Sequence, residues 1–197
     1  MREMIQMVVV LTVLSFVSGG LLAYVKDNTK DKIEVQQLTF VKGPAIKEIL
    51  KGAANDPIKD RFKLKEGDTE ESFFVGVVDG KPDTVAFESS GKGFGGEIGV
   101  MVGVNLNDDK IVGVGVTTHS ETPGVGARAK TDPTFVAQFA GMPLKETFKV
   151  KVDGGQVDAL SGATVTSRGV SAALTEAGQI YEKLKPQIAD KAKTFSK

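Results

Sequence analysis

The 197-residue chain is 41% hydrophobic, enough to fill a packed domain and too much for a disordered one. Lys+Arg and Asp+Glu both number 25, so the net charge gives no electrostatic basis for nucleic-acid binding. The absence of cysteine excludes disulfides, iron–sulfur ligation and thiolate zinc sites, and a single histidine argues against a Ser-His-Asp hydrolase or a multi-histidine metal centre.

Met4 to Val25 runs uncharged between Glu3 and Lys26. At 1.5 Å per residue it reaches about 33 Å, enough to cross a bilayer core of roughly 30 Å. It is longer than the apolar part of a signal peptide and no A-x-A cleavage site follows, so an uncleaved single-pass anchor over 1–25 is expected. Arg2 precedes the span and Lys26, Lys30 and Lys32 follow it, a balance that leaves the orientation open.

Residues 26–40 form a polar stem, and the remaining 41–197 are expected to form one α+β domain with a mainly antiparallel sheet. A short helix is predicted over 41–53, with Pro44 in its first turn and Asn55-Asp56-Pro57 beyond its end. Two strands are predicted within 73–89 around a Gly-Lys-Pro turn, and two more within 97–120 across Asn107-Asp108-Asp109. Glycines alternate with apolar residues there, as on a covered sheet. Residues 133–142 read as a helix capped by Asp132, and 147–160 alternate like a strand. In the last helix Val170, Ala173, Leu174, Ala177, Ile180, Tyr181 and Leu184 share one face, with Arg168, Ser171, Thr175, Gln179, Glu182 and Lys183 on the other.

Gly124, Gly126 and Ala129 formally fit G-x-G-x-x-A, but Asp132-Pro133 interrupts too soon for a dinucleotide-binding crossover helix. The other reading of this loop is a backbone approaching a flat ligand, with Glu121 and Thr122 facing it. Gly91 to Gly99, GKGFGGEIG, lacks the order of a P-loop. His119 alone reads as a hydrogen-bonding residue at a strand end, and no metal site or catalytic residue is assigned. In DALSGATVTSRGVSAAL (158–174), Ser161-Gly162 makes a turn and Thr166 or Ser167 is expected to cap the last helix. Thr164 is left over, just ahead of a helix N-terminus whose free N–H groups and partial positive charge suit a phosphate. No local base is available to make it a nucleophile.

Asp158-Ala159-Leu160-Ser161-Gly162-Ala163-Thr164 resembles the D-x-x-[ST]-G-A-[ST] flavinylation motif of FMN-binding domains. His119-Ser120-Glu121-Thr122-Pro123-Gly124-Val125-Gly126 is similar to that family's H-x-E-T-P-G-x-G loop near the flavin. One transmembrane helix before such a domain resembles the G subunits of Rnf electron-transport complexes, and also the C subunits of sodium-pumping NADH:quinone reductases. The resemblance implies covalent FMN on Thr164, installed from FAD by a separate flavin transferase. It places Asp158, Ser161, Gly162, Ala163, Thr166, Ser167, His119, Glu121, Thr122 and Gly124 around the cofactor. It further implies a subunit of a ferredoxin:NAD oxidoreductase that couples electron flow to Na+ or H+ translocation in a bacterial or archaeal cell membrane. The soluble domain would be extracytoplasmic, relaying electrons to or from other membrane subunits, including a second flavinylated one. The alternatives are the quinone-reductase subunit and a membrane-anchored assembly module without flavin.

Overall fold

A computed structural model describes residues 1–66 and 69–196. The chain divides into two units, one covering Met1–Thr39 and the other starting at Phe40. The first unit is dominated by helix α1 (Arg2–Gln36). Its stretch from Arg2 to Lys30 is long and apolar enough to cross a membrane, and its side chains are exposed. A single turn of π-helix, Gln37–Lys42, follows.

In the second unit, helix α2 (Gly43–Ile49) carries Pro44 in its first turn, where the missing N–H costs no helical hydrogen bond. Strands β1 (Arg61–Glu66), β2 (Thr69–Val78), β3 (Lys81–Lys92), β4 (Glu97–Asn105) and β5 (Ile111–Val116) then form one sheet. The order is β1-β2-β3-β4-β5 with every pair antiparallel, so each strand lies beside its sequence neighbour. This matches the expected antiparallel α+β class and gives no parallel crossover for a dinucleotide fold. The β2–β3 turn is Asp79-Gly80, both with positive φ, rather than Gly-Lys-Pro. Pro82 instead lies within β3, opposite Val77.

The two faces of the sheet are covered differently. Val100, Val102 and Val104 of β4 join Val85 and Phe87 of β3 in the core beneath α5 (Thr164–Lys193). On the opposite face Gly103 of β4 and Gly113 and Gly115 of β5 seat α2: a Cβ on Gly103 would lie 2.1 Å from Ile49 Cγ2, and one on Gly115 would lie 3.0 Å from Ala45 Cβ. The alternation of glycine and valine is thus the imprint of a helix packed close on one side.

Between sheet and last helix lie two short helices, α3 (Arg128–Thr131) and α4 (Pro133–Ala137). Asp132 caps α4 as expected, accepting from the Thr134 N–H at 3.0 Å, but the helix stops at Ala137 and 138–142 are irregular. The strand expected over 147–160 does not form. Val150 and Val157 make a lone bridge, and between them stand a 3₁₀ turn (Lys151–Asp153) and Gly154 at φ +79°. The Gly154-Gly155 reversal ends any extended run, although the flanking residues alternate like a strand.

Helix α5 buries Val170, Ala173, Leu174, Ala177, Ile180, Tyr181 and Leu184, the face expected from their spacing. Ser171, expected on the outer face, is also buried. The helix approaches β3 closely because two glycines meet: a Cβ on Gly91 would lie 2.0 Å from the Gly169 carbonyl oxygen. Small side chains there let the helix start sit directly against the strand end that feeds the 91–96 turn.

Candidate functional site

The site is assembled from three segments: the 91–96 turn after β3, the loop 119–126 after β5, and the first turn of α5. In the first, the Gly93 N–H donates to the Gly96 carbonyl at 2.8 Å, closing a tight turn with Phe94 on its outside. The loop after β5 turns at Pro123-Gly124, with Gly124 at φ +71° and the Val125 and Ala127 N–H groups donating to the Thr122 carbonyl. Gly162, at φ +77°, turns the chain into α5.

One buried carboxylate ties these segments together. Glu121 is only 6% exposed. Its Oε1 accepts from the Gly95 N–H at 2.7 Å, and its Oε2 accepts from the Thr166 hydroxyl. A carboxylate is kept in such a place by filling its lone pairs with fixed donors. Gly126 must be glycine for the same reason, since a Cβ would lie 2.6 Å from Glu121 Oε2 and 2.8 Å from Thr166 Oγ1.

The four hydroxyls of 158–174 singled out by the sequence separate clearly. Thr166 is committed to Glu121 and does not cap the helix. Ser167 donates to the Ala163 carbonyl and accepts from the Leu160 N–H, both at 3.0 Å, so it stitches the turn to the helix from inside. The helix begins earlier than expected, at Thr164, behind Ala163, which offers no side-chain cap. Among the described residues, the Ser161 and Thr164 hydroxyls alone of the four make no hydrogen bond. Ser161 is exposed and lines a separate hollow with Arg128, Gln138 and Asp158.

Thr164 lines a cavity of about 450 Å³ with Phe94, Glu121, Thr122, Val125, Gly126, Gly162, Ala163, Val165 and Thr166. Its mouth is apolar: Phe94 is 74% exposed, Val125 42% and Val165 43%. The first turn of α5 has neither a side-chain cap nor an acidic residue, so its N–H groups and partial positive charge are free to meet an anion. An apolar slot beside an uncapped helix start, with a half-buried free hydroxyl at the junction, fits a planar ring system carrying a phosphate. The donor set offers nothing comparable for a metal: among the described residues no three His, Cys, Asp or Glu side chains could hold one.

The other expected site residues lie around this cavity rather than in it. His119 lines a second hollow of about 460 Å³ with Glu88, Gly99 and Thr118, and its Nδ1 accepts from the Glu121 N–H at 3.3 Å. It thus fixes the backbone from which Glu121 projects. Asp158 is exposed and ion-paired to Lys151 at 2.7 Å. Arg168, one turn beyond Thr164, pairs through Nε and Nη2 with both oxygens of Asp153, which its hydrogen bond holds below the usual carboxylate range. Phe94 is a site residue that the motifs do not contain. Its signal in the sequence is an aromatic flanked by Gly93 and Gly95, in a stretch whose glycines suggest a P-loop and then fail to match one.

The FMN-binding domain family matches residues 93–179, a stretch that holds Phe94, Glu121 and Thr164. The G subunit of an ion-translocating oxidoreductase complex from Methanosarcina acetivorans is 35% identical over 179 residues, covering 89% of this chain and 93% of the relative. The corresponding G subunit from Cereibacter sphaeroides is 30% identical over 182 residues, covering 88% and 82%. Two solved structures share the fold at TM-score 0.54 and 28% identity. The C subunit of the Na(+)-translocating NADH-quinone reductase from Parabacteroides distasonis covers 64% of this chain and 76% of its own. NqrC from Shewanella oneidensis covers 71% and 72%.

Proposed function

Because the chain belongs to the family of ion-translocating oxidoreductase complex G subunits, with their FMN-binding domain, we propose that it carries FMN as a phosphoester on Thr164 and relays electrons within such a complex. The observation that carries the proposal is the Thr164 hydroxyl, which lines an apolar-mouthed cavity at an uncapped helix start and has no partner among the described residues. Of the two unbonded hydroxyls in this stretch, Ser161 lines a separate hollow, whereas Thr164 lines the cavity beside the helix start.

Thr164 needs no base of its own in this reading. A separate flavin transferase would supply the FMN group from FAD, with the Thr164 hydroxyl as acceptor and AMP as the leaving group. When bound, the flavin supplies electron uptake and release in one- or two-electron steps. Val125, Val165 and Phe94 would shield the ring from water, and the α5 N-terminus would offset the phosphate charge. Glu121 keeps the loop and helix in register, and the ester bond prevents loss of cofactor by dissociation.

In the same reading residues 1–25 anchor the chain, 26–40 form a stem, and 41–197 place the flavin on the extracytoplasmic face. Other membrane subunits of the Rnf type, one of them also flavinylated, exchange electrons with it. Similarity across about nine tenths of the chain to G subunits favours this assignment over the C subunit of a quinone reductase, whose solved structures cover 64–71% of it. The test against a flavin-free assembly module is a denaturing gel of protein co-expressed with a flavin transferase. The wild-type band is expected to fluoresce, and the Thr164→Val band to be dark.

A further inference from the structure

Phe94 is a large apolar side chain left 74% exposed at the mouth of the cavity that holds Thr164. Isolated exposed apolar residues are ordinary, but the backbone under this one is built to a tolerance that exposure alone does not require. A Cβ on Gly93 would lie 2.4 Å from Ile98 Cδ1 and 2.5 Å from Glu121 Oε1. A Cβ on Gly95 would lie 2.0 Å from the Ser120 carbonyl oxygen. The Gly95 N–H is held by Glu121 at 2.7 Å, and the Gly93 N–H by Gly96 at 2.8 Å. The glycines therefore let the turn press against the 119–121 backbone, and the hydrogen bonds fix it there. Phe94, between them, has its Cα pinned and its ring offered to the cavity.

We propose that Phe94 is the aromatic wall on which the flavin ring stacks, a positioning residue for the cofactor of the proposed function. The inference rests on that reading for the identity of the ring, and on the 91–96 turn for the role of Phe94. Offset stacking of two π systems gains beyond area burial, and it fixes the plane of a ring that the ester alone leaves free to swing about single bonds. The same turn is bonded to Glu121, which is bonded to Thr166 in the first turn of α5. The stacking residue and the attachment residue are thereby set relative to each other through one carboxylate.

A flavin ring held in one plane against a fixed wall of the protein shows induced visible circular dichroism that a freely swinging ring lacks, which gives a readout independent of electron transfer. The full-length wild type, Phe94→Ala, Phe94→Leu and Phe94→Tyr are co-expressed with a flavin transferase, and the visible circular dichroism of the native flavin is compared with that after denaturation at equal flavin content. Native wild type and Phe94→Tyr are expected to show a severalfold stronger visible signal than the denatured protein, and Phe94→Leu and Phe94→Ala to approach the denatured level. Equal native visible circular dichroism in wild type, Phe94→Ala and Phe94→Leu overturns the proposal. Phe94→Leu keeps the apolar bulk, so it remains informative if Phe94→Ala folds poorly. If the wild type carries no covalent flavin, the covalent reading fails separately. Free FMN titrated into the same proteins then decides the role of Phe94, with visible circular dichroism induced by wild type but not by Phe94→Leu supporting it and equal behaviour refuting it.

Discussion

Glu121 and Thr166 meet through a single hydrogen bond although 45 positions separate them, and that bond joins the loop after β5 to the first turn of α5. Thr166→Val keeps the shape and removes the donor, leaving Glu121 Oε2 buried and unfilled. A loss of about 1–3 kcal/mol is expected, seen as a lower midpoint of thermal unfolding in the detergent-solubilised protein. Glu121→Gln should cost less than about 1 kcal/mol, because its amide can both accept from Gly95 and donate to Thr166. Equal losses for Glu121→Gln and Glu121→Ala would contradict this account of the carboxylate.

The Gly91–Gly169 contact between β3 and α5 leaves no room for a methyl group, and the atom in the way is a backbone oxygen that no rotamer change can move. Gly91→Ala should destabilise the domain by about 2–4 kcal/mol. The midpoint should fall by about 2–4 °C for each kcal/mol. Circular dichroism at 222 nm measures it, and an unchanged midpoint would show that helix and strand stand farther apart.

Tyr181 is buried and donates to Asp109 at 2.9 Å, while Lys185 donates to the other Asp109 oxygen at 2.5 Å. Burial, the hydrogen bond to Asp109 and the Asp109 charge all push the Tyr181 phenol above its ordinary value near 10. The folded state therefore holds a proton that the unfolded chain releases. The resulting stability is fully present below about pH 10 and is lost as pH rises further. Lys185, raised chiefly by its hydrogen bond to Asp109, adds to the same alkaline loss. Tyr181→Phe should flatten the fall of the unfolding midpoint as pH rises above about 10, and an unaltered profile would contradict the assignment.

The side of the membrane on which the domain lies can be read with one thiol, because the chain has no cysteine of its own. Val152 is 72% exposed on the 3₁₀ turn. Val152→Cys should react with a membrane-impermeant maleimide in intact cells. Labelling only after lysis would place the domain in the cytoplasm.

Much of this architecture was legible because its causes are local. The spacing of Val170, Ala173, Leu174, Ala177 and Tyr181 predicts the face that α5 buries, and the alternation around Gly103, Gly113 and Gly115 marks strands covered on both sides. What was not legible depends on distant partners. Thr166 reads as a helix cap because its true acceptor, Glu121, is remote in sequence. Strand β1, RFKLKE, carries four charges in six residues, and no strand was expected there; its backbone is placed by pairing with β2. Val150 and Val157 alternate with their neighbours as in a strand, yet the intervening Gly154 takes a positive φ and reverses the chain. The role of Phe94 depends on close approaches of the 93–96 backbone to Ser120 and Glu121, which no window along the chain contains.

The central claim is that Thr164 carries the flavin, and the intact mass of the chain co-expressed with a flavin transferase tests it most directly. The account predicts a gain equal to one FMN less one water, localised by fragmentation to the peptide containing Thr164, retained in Thr164→Ser and absent in Thr164→Val. A wild-type chain at its unmodified mass, or the same gain in Thr164→Val, would contradict it.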